Sequence, residues 1–167
     1  MLLLTLLAAQ AVDPRALQLQ PHVDRAWGFR ILRPAPWKVH RAEDVGLVVF
    51  YRSGPFRPPR FVVLPQLLAQ GRLPPHQAAR TVLQDLMGLD RHPGLRWGLV
   101  RATASQAEGQ ARWRDRSSTV RMVFWLRVHP GGHATQVTFL AGEATDQEFP
   151  GLWPLFRRMQ LSYAPER

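Results

Sequence analysis

The sequence predicts one α+β domain with a largely antiparallel central sheet and helices on both faces. Three observations carry this prediction. Val45–Tyr51 and Met122–Leu126 are continuously apolar, which is typical of strands covered on both faces. Two amphipathic helical segments, one near the middle of the chain and one near its end, can supply those covers. Short turn-like connections between the later strands favour antiparallel pairing.

The first half of the domain is predicted to contain three strands before its first helix. These strands are Phe29–Leu32, Val45–Tyr51 and Phe61–Leu64. Pro34 and Pro65 are expected to end the first and third strands, because proline cannot donate a hydrogen bond to a sheet. Residues 52–60 are rich in proline, glycine and arginine and are predicted to form a loop.

A helix is predicted to follow, beginning at Pro74 and Pro75, since proline suits the first helical turn. Its apolar side chains recur at helical spacing, at Ala79, Val82, Leu83, Leu86 and Met87. Gly88 is expected to end the helix, because glycine readily adopts the conformation of a helix C-terminus.

The second half is predicted to consist of four strands and a helix. The strands are Leu95–Ser105, Gln110–Arg116, Ser118–Val128 and Thr135–Ala141. Residues 129–133 are expected to form a tight hairpin between the last two strands. The helix begins after Thr145, and its apolar stripe consists of Phe149, Leu152, Trp153 and Phe156. Pro154 is expected to kink or divide this helix.

The length of 167 residues suits a single domain with a well-filled core. Residues 1–11 are predicted to be a signal peptide, and residues 12–25 a tether or loose helix. The domain is expected to span residues 26–163 and to end in a polar tail at 164–167.

The N-terminus favours export. Leu2–Ala9 is apolar apart from Thr5, and Ala9-Gln10-Ala11 fits the small-x-small cleavage pattern. The run lacks a basic segment before it and is too short to span a bilayer. A buried N-terminal helix or strand is the alternative. We expect a periplasmic or secreted protein with no transmembrane span.

Composition narrows the possible chemistry. The chain contains no cysteine, which excludes disulfides, thiol catalysis, iron–sulfur clusters and lipid attachment through cysteine. Its formal net charge is +10, and Lys38 is the single lysine among 22 basic residues. The arginine bias is consistent with a GC-rich genome, or with attraction to an anionic partner such as phospholipid, nucleic acid or an acidic protein.

A set of short motifs resembles the PsbP-like family. The motifs are Gly28-Phe29-Arg30-Ile31 followed by Pro34 and Trp37, the helix after the third strand, Gly109-x-x-Arg112, and Met159-Gln160-Leu161-Ser162-Tyr163. The resemblance covers roughly residues 26–163. The fold of this family is shared with a Ran-GTPase-binding nuclear import factor and with bacterial envelope proteins. The resemblance implies an α/β/α sandwich, a binding or accessory role, and no shared active site.

No local motif indicates catalysis or a cofactor. Ser53 does not lie in a G-x-S-x-G elbow, and Gly131-Gly132 is not followed by the residues of a phosphate loop. His129 and His133 could be two ligands of an exposed metal site or ordinary hairpin residues. We expect no metal and no cofactor. An enzyme whose site is assembled from distant residues is an open alternative.

The one sequence pattern that indicates a binding surface is formed by arginines. Arg112, Arg114 and Arg116 are predicted to project from one face of a strand, because strand side chains alternate. A second group surrounds Phe56 in the proline-rich loop and consists of Arg52, Arg57 and Arg60. Guanidinium groups suit phosphate and carboxylate. The alternative explanation is a solvated edge that suppresses sheet-to-sheet aggregation.

These observations predict a non-enzymatic extracytoplasmic binding or accessory protein. Its expected partner is an envelope protein or an anionic surface. A basic nucleic-acid-binding module is the alternative, because Arg112-Trp113-Arg114 would suit stacking on single strands. The export-like N-terminus and the lack of a known nucleic-acid motif argue against that alternative.

Overall fold

A seven-stranded antiparallel sheet is the centre of the computed structural model, which describes residues 17–131 and 133–166. Its strands are β3 (Lys38–Ala42), β4 (Leu47–Tyr51), β5 (Arg60–Gln70), β6 (Arg96–Ala102), β7 (Gln106–Asp115), β8 (Ser118–Pro130) and β9 (Ala134–Thr145). They lie in the order β3-β4-β5-β9-β8-β7-β6, so β6 and β3 form the edges. Every neighbouring pair is antiparallel, as the sequence predicts.

A smaller antiparallel sheet packs beside the large one. It consists of β1 (Leu19–Asp24), β2 (Phe29–Pro34) and β10 (Ala164–Pro165), in the order β1-β2-β10. The prediction of a tether or loose helix at 12–25 is therefore wrong for residues 19–24, because β1 completes its hydrogen bonds with β2. The predicted tail at 164–167 likewise begins as a strand that pairs with Arg30 and Phe29.

Helices cover both faces of the large sheet. Helix α1 (Pro75–Arg80) continues into a π-helical turn, Thr81–Leu86, and a short 3-10 turn follows at Leu89–Arg91. Ala79, Val82 and Leu83 of this segment pack in one core with Phe124 and Phe139 of the sheet. Helix α2 (Phe149–Ser162) and strand β2 fill a second core on the opposite face. The predicted α+β fold with helices on both faces is confirmed.

Two prolines lie inside regular elements that continue past them. Strand β5 continues past Pro65, because a bulge between Leu64 and Leu67 accommodates a residue that cannot donate to the ladder. The Pro65 carbonyl accepts a hydrogen bond of 3.0 Å from Thr138 Oγ1. Helix α2 is continuous through Pro154, so the helix is not divided there, and the kink stays a prediction. The carbonyl that loses its partner there belongs to Pro150, which is exposed to water.

The placement of α2 leaves part of the sheet uncovered. Gly142 of β9 lies beneath α2, where a Cβ atom would be 2.3 Å from the ring of Phe156. The missing side chain lets α2 pack closely on β9 and the centre of the sheet. Strands β6 and β7 lie toward the β6 edge of the sheet, and Arg96, Arg112 and Arg114 on their α2-facing sides are exposed. No helix in the described part of the chain is long and apolar enough to cross a membrane.

Candidate functional site

Three arginines lie side by side across the uncovered part of the sheet. Arg96 of β6 pairs with Arg112 of β7, and Arg112 pairs with Arg121 of β8. All three project from the face that carries α2, where they line an open depression of about 860 Å³. We call Arg96, Arg112 and Arg121 the arginine row. It brings cationic side chains from three separate strands onto one accessible surface.

Neighbouring groups hold two members of the row in place. Asp146, between β9 and α2, forms an ion pair with Arg112 and lies 3.6 Å from Arg121 Nε. The guanidinium carbon of Arg121 is 4.6 Å from the centre of the Phe149 ring, a cation–π distance. The turn into α2 therefore positions the row from one side. The Arg112 side chain nevertheless remains 61% exposed.

The row carries excess positive charge. Like charges directly opposite one another on neighbouring strands destabilise a sheet. The charged residues that line the depression are three arginines and one carboxylate, that of Asp146. A bound anion would neutralise this excess and would gain charge-assisted hydrogen bonds from planar guanidinium groups.

The same face carries further arginines toward the other end of the sheet. The register of β6 against β7 shifts between Leu99 and Arg101. This bulge places Arg101 opposite Glu108 and so on the face that bears Arg96, whereas strict alternation would place it on the other face. Exposed Val100 lies at the bulge and lines the depression. The cationic surface therefore runs along the length of β6.

The first predicted arginine group is only partly assembled as expected. Arg112 and Arg114 are exposed and alternate with buried Trp113, so these two share the face bearing α2. Arg116 does not join them, because β7 ends at Asp115. Arg116 lies in the turn before β8 with a left-handed φ of 51°. There it faces a cleft on the α1 side of the sheet.

The second predicted group divides among three roles. Arg52 forms an exposed ion pair of 2.7 Å with Glu148. Arg60 is largely buried at the edge of the α1-side cleft, and its Nε lies 2.7 Å from Glu143, whose side chain is 1% exposed. Arg57 lines the cleft on the α1 side, which has a volume of about 1140 Å³. The three arginines of this group therefore have different surroundings.

The α1-side cleft is a weaker candidate for binding anions. Its floor is apolar, and carboxylates accompany the arginines at its rim, namely Glu43, Asp44 and Asp115. Two of its four arginines are already paired, Arg41 with Asp24 and Arg60 with Glu143. The charge of this cleft is nearly balanced, unlike that of the arginine row.

Sequence reasoning missed Arg96 and Arg121. Neither lies near Arg112 in the chain, and only the register of β6, β7 and β8 brings them together. The histidines suggested as metal ligands, His129 and His133, are both exposed. Within residues 17–131 and 133–166, no group of three or more histidine or acidic side chains is placed to hold a metal ion.

Comparison with known proteins identifies the fold. No protein-family model matches the chain, and no curated protein matches it by sequence. The Ran-binding protein Mog1p of Saccharomyces cerevisiae superposes with a TM-score of 0.56 at 11% identity, over 90% of this chain and 96% of the yeast protein. LpqN, involved in cell envelope biogenesis of Mycobacterium tuberculosis, gives 0.51 at 13% identity, over 91% and 92%.

A cyanobacterial PsbP from Synechocystis has a TM-score of 0.48 at 13% identity, over 89% of this chain and 93% of that protein. The likeness to Mog1p and LpqN is sufficient to establish the fold. The predicted fold, shared with a Ran-binding protein and with a protein involved in cell envelope biogenesis, is therefore confirmed.

Proposed function

We propose that this chain is a non-enzymatic binding or accessory protein that works outside the cytoplasm and recognises an acidic segment of a partner protein. The arginine row carries the proposal, because it is an exposed, aligned and incompletely neutralised set of cations. The fold is compatible with such a role. Mog1p is a Ran-binding protein, and LpqN is involved in cell envelope biogenesis.

The shape of the site favours a protein segment over a lipid bilayer. The row lies in a depression beside α2, and Gln110 and Gln147 contribute polar groups to its lining. An extended acidic chain can enter a depression and pair its carboxylates with successive guanidinium groups. A planar membrane surface would instead contact the rim of the depression. Exposed Val100 offers a small apolar contact beside the charges.

The burial of Trp113 argues against single-stranded nucleic acid. The alternative function depended on stacking bases against the tryptophan between Arg112 and Arg114. Trp113 is 3% exposed and packs in the core on the α1 side of the sheet. Its ring is therefore inaccessible to a base that contacts these two arginines.

Neutralising the row should weaken binding of an acidic peptide. We expect the combined variant Arg96→Gln, Arg112→Gln and Arg121→Gln to lose about tenfold or more in affinity for polyglutamate at low salt. Each exposed ion pair contributes about 0.2–1 kcal/mol, and three together approach or exceed the 1.4 kcal/mol that corresponds to tenfold. Fluorescence anisotropy of a labelled peptide measures the change, and added salt should reduce wild-type binding.

A charge-matched control variant distinguishes binding at the arginine row from general electrostatic attraction to the protein. Arg57→Gln, Arg80→Gln and Arg91→Gln remove the same charge from exposed positions away from the row. This variant should lose no more than about threefold, because screening limits the reach of exposed charges to about 8–10 Å. Equal losses in both variants would contradict the proposal. Tighter binding to anionic phospholipid vesicles or to single-stranded DNA than to polyglutamate would also contradict it.

Export is the second testable part of the proposal. The apolar run Leu2–Ala9 and the Ala9-Gln10-Ala11 pattern support it, and both lie outside the described residues. A C-terminally tagged full-length chain should be recovered from the periplasm or medium of a bacterial host, shortened at about Ala11. Mass spectrometry of the purified protein gives the cleavage site. Recovery of the intact chain from the cytosol would contradict an extracytoplasmic role.

A further inference from the structure

A second, smaller cavity lies on the same face of the sheet, at the C-terminal end of α2. Its volume is about 280 Å³, and its walls come from β6, β7, β8, β9 and α2. The arginine row does not contribute to it. We call this cavity the α2 pocket. Its volume lies near the lower end of the range for ligand sites, which favours a small molecule over a nucleotide or a lipid.

Three arginines converge on the α2 pocket. They are Arg101 from the β6 bulge, Arg127 from β8 and Arg157 from α2. Glu108 is the one carboxylate in the lining, and it lies 3.8 Å from Arg157 Nη1. The pocket therefore has two more positive than negative side chains in its lining. The β6 bulge contributes directly, since it places Arg101 on this face.

Arg157 is oriented before any ligand arrives. Its Nη1 donates a hydrogen bond of 3.0 Å to Gln160 Oε1. Its guanidinium carbon lies 5.9 Å from the centre of the Trp125 ring, a cation–π distance. A guanidinium held in this way loses little rotational freedom when it binds an oxyanion, which favours affinity.

Trp125 contributes an indole ring with an unpaired N–H to the wall of the pocket. The residue lines the pocket and is 7% exposed. Its indole N–H has no hydrogen-bond acceptor among the described residues. Buried donors are rarely left unpaired, because an unpaired buried polar group costs about 1–3 kcal/mol. The indole nitrogen is itself buried, so a ligand in the pocket would contact other atoms of the indole ring and would change the surroundings of this N–H.

Tyr163 supplies a neutral polar group to the same pocket. Burial raises the pKa of its hydroxyl, although the nearby positive charge of Arg127 acts in the opposite direction. The hydroxyl therefore stays protonated at neutral pH and can donate a hydrogen bond. Trp125 and Leu140 give the pocket apolar surface beside these polar groups.

We infer that the α2 pocket binds a small organic anion, in which a carboxylate or phosphate group is attached to a compact apolar body. The oxyanion pairs with Arg127 and Arg157. The apolar body lies against the indole ring and Leu140. This site is separate from the arginine row, so the inference stands even if the proposed partner binding fails.

The experiment follows the Trp125 indole N–H signal of the full chain in two-dimensional ¹H–¹⁵N NMR spectra. Trp125→Phe removes the signal and so assigns it. Benzoate and phenyl phosphate are the charged probes, and comparison between them distinguishes a carboxylate from a phosphate ligand. We expect at least one of them to shift the signal saturably. Inorganic phosphate and benzyl alcohol, which lack the apolar body and the charge respectively, should bind at least tenfold more weakly.

Variants identify the groups that hold the anion. Arg127→Gln and Arg157→Gln should each weaken binding of the better probe about tenfold, while Arg158→Gln, an exposed neighbour on α2, should leave it unchanged. Arg127 is itself exposed, so its substitution should not affect folding, and thermal melts check this point. An unmoved Trp125 signal with both charged probes would overturn the inference. Undiminished binding by the folded Arg127 and Arg157 variants would also overturn it.

Discussion

Replacing Phe124 with alanine should reduce the free energy of unfolding by about 3–5 kcal/mol, as large-to-small changes in protein cores do. Phe124 has no exposed surface, as predicted from its apolar strand. Its ring stacks against Phe139 with centres 5.5 Å apart. It also covers Gly109 on the neighbouring strand, where a Cβ atom would lie 2.2 Å from the ring. Alanine would leave a cavity bordered by β7, β9 and α1.

Urea denaturation of wild type and variant measures this loss. Phe56→Ala is the matched control, because Phe56 is 76% exposed and its removal should change stability by about 0.5 kcal/mol or less. A loss below about 1 kcal/mol for Phe124→Ala would mean that β8 does not occupy the centre of this core.

Replacing Arg60 with alanine should cost a comparable amount, about 3–5 kcal/mol. Arg60 is the ion-pair partner of Glu143, whose side chain is 1% exposed. Arg60 donates to Glu143 Oε2, and the Oε1 atom has no hydrogen-bond partner among the described residues. Removing the arginine would leave a buried carboxylate without its neutralising charge. Arg60 therefore has a structural role, although the sequence pattern placed it in a binding surface.

Two further variants distinguish a buried ion pair from simple loss of packing. Arg52→Ala should cost about 0–1 kcal/mol, because its partner Glu148 is 34% exposed and the pair is screened by water. Arg60→Met combined with Glu143→Leu should recover most of the loss, since this double change removes both buried charges. A double variant as unstable as Arg60→Ala would contradict the assignment.

The fold was predictable where apolar patterns were long. Met122–Leu126 indicates a strand, and the stripe from Ala79 to Met87 indicates a helix. Both elements are found. Strand β1 was not predictable, because Leu19–Asp24 has a mixed polar sequence and is a strand only through its pairing with β2. Strand β3 was missed for a similar reason, since Lys38–Ala42 carries charge and lies at the sheet edge.

The candidate site was predictable from the sequence only where its residues are close together in the chain. Period-two alternation correctly placed Arg112 and Arg114 on one face. It failed at Arg116, because a turn begins where the pattern predicted more strand. The row itself depends on strand register, and Arg60 depends on a carboxylate 83 residues away. Such pairings are properties of the assembled sheet, and no short segment of the sequence contains them.

The central claim is that the arginine row is where an acidic partner binds. The most direct measurement is a map of backbone amide shifts in ¹H–¹⁵N spectra as polyglutamate is added to the full chain. We predict that the largest changes occur around Arg96, Arg112 and Arg121 and in the turn at Asp146, because these residues line one depression. The largest changes around Arg57 and Arg116 in the α1-side cleft, or uniform changes over all exposed arginines, would contradict the claim.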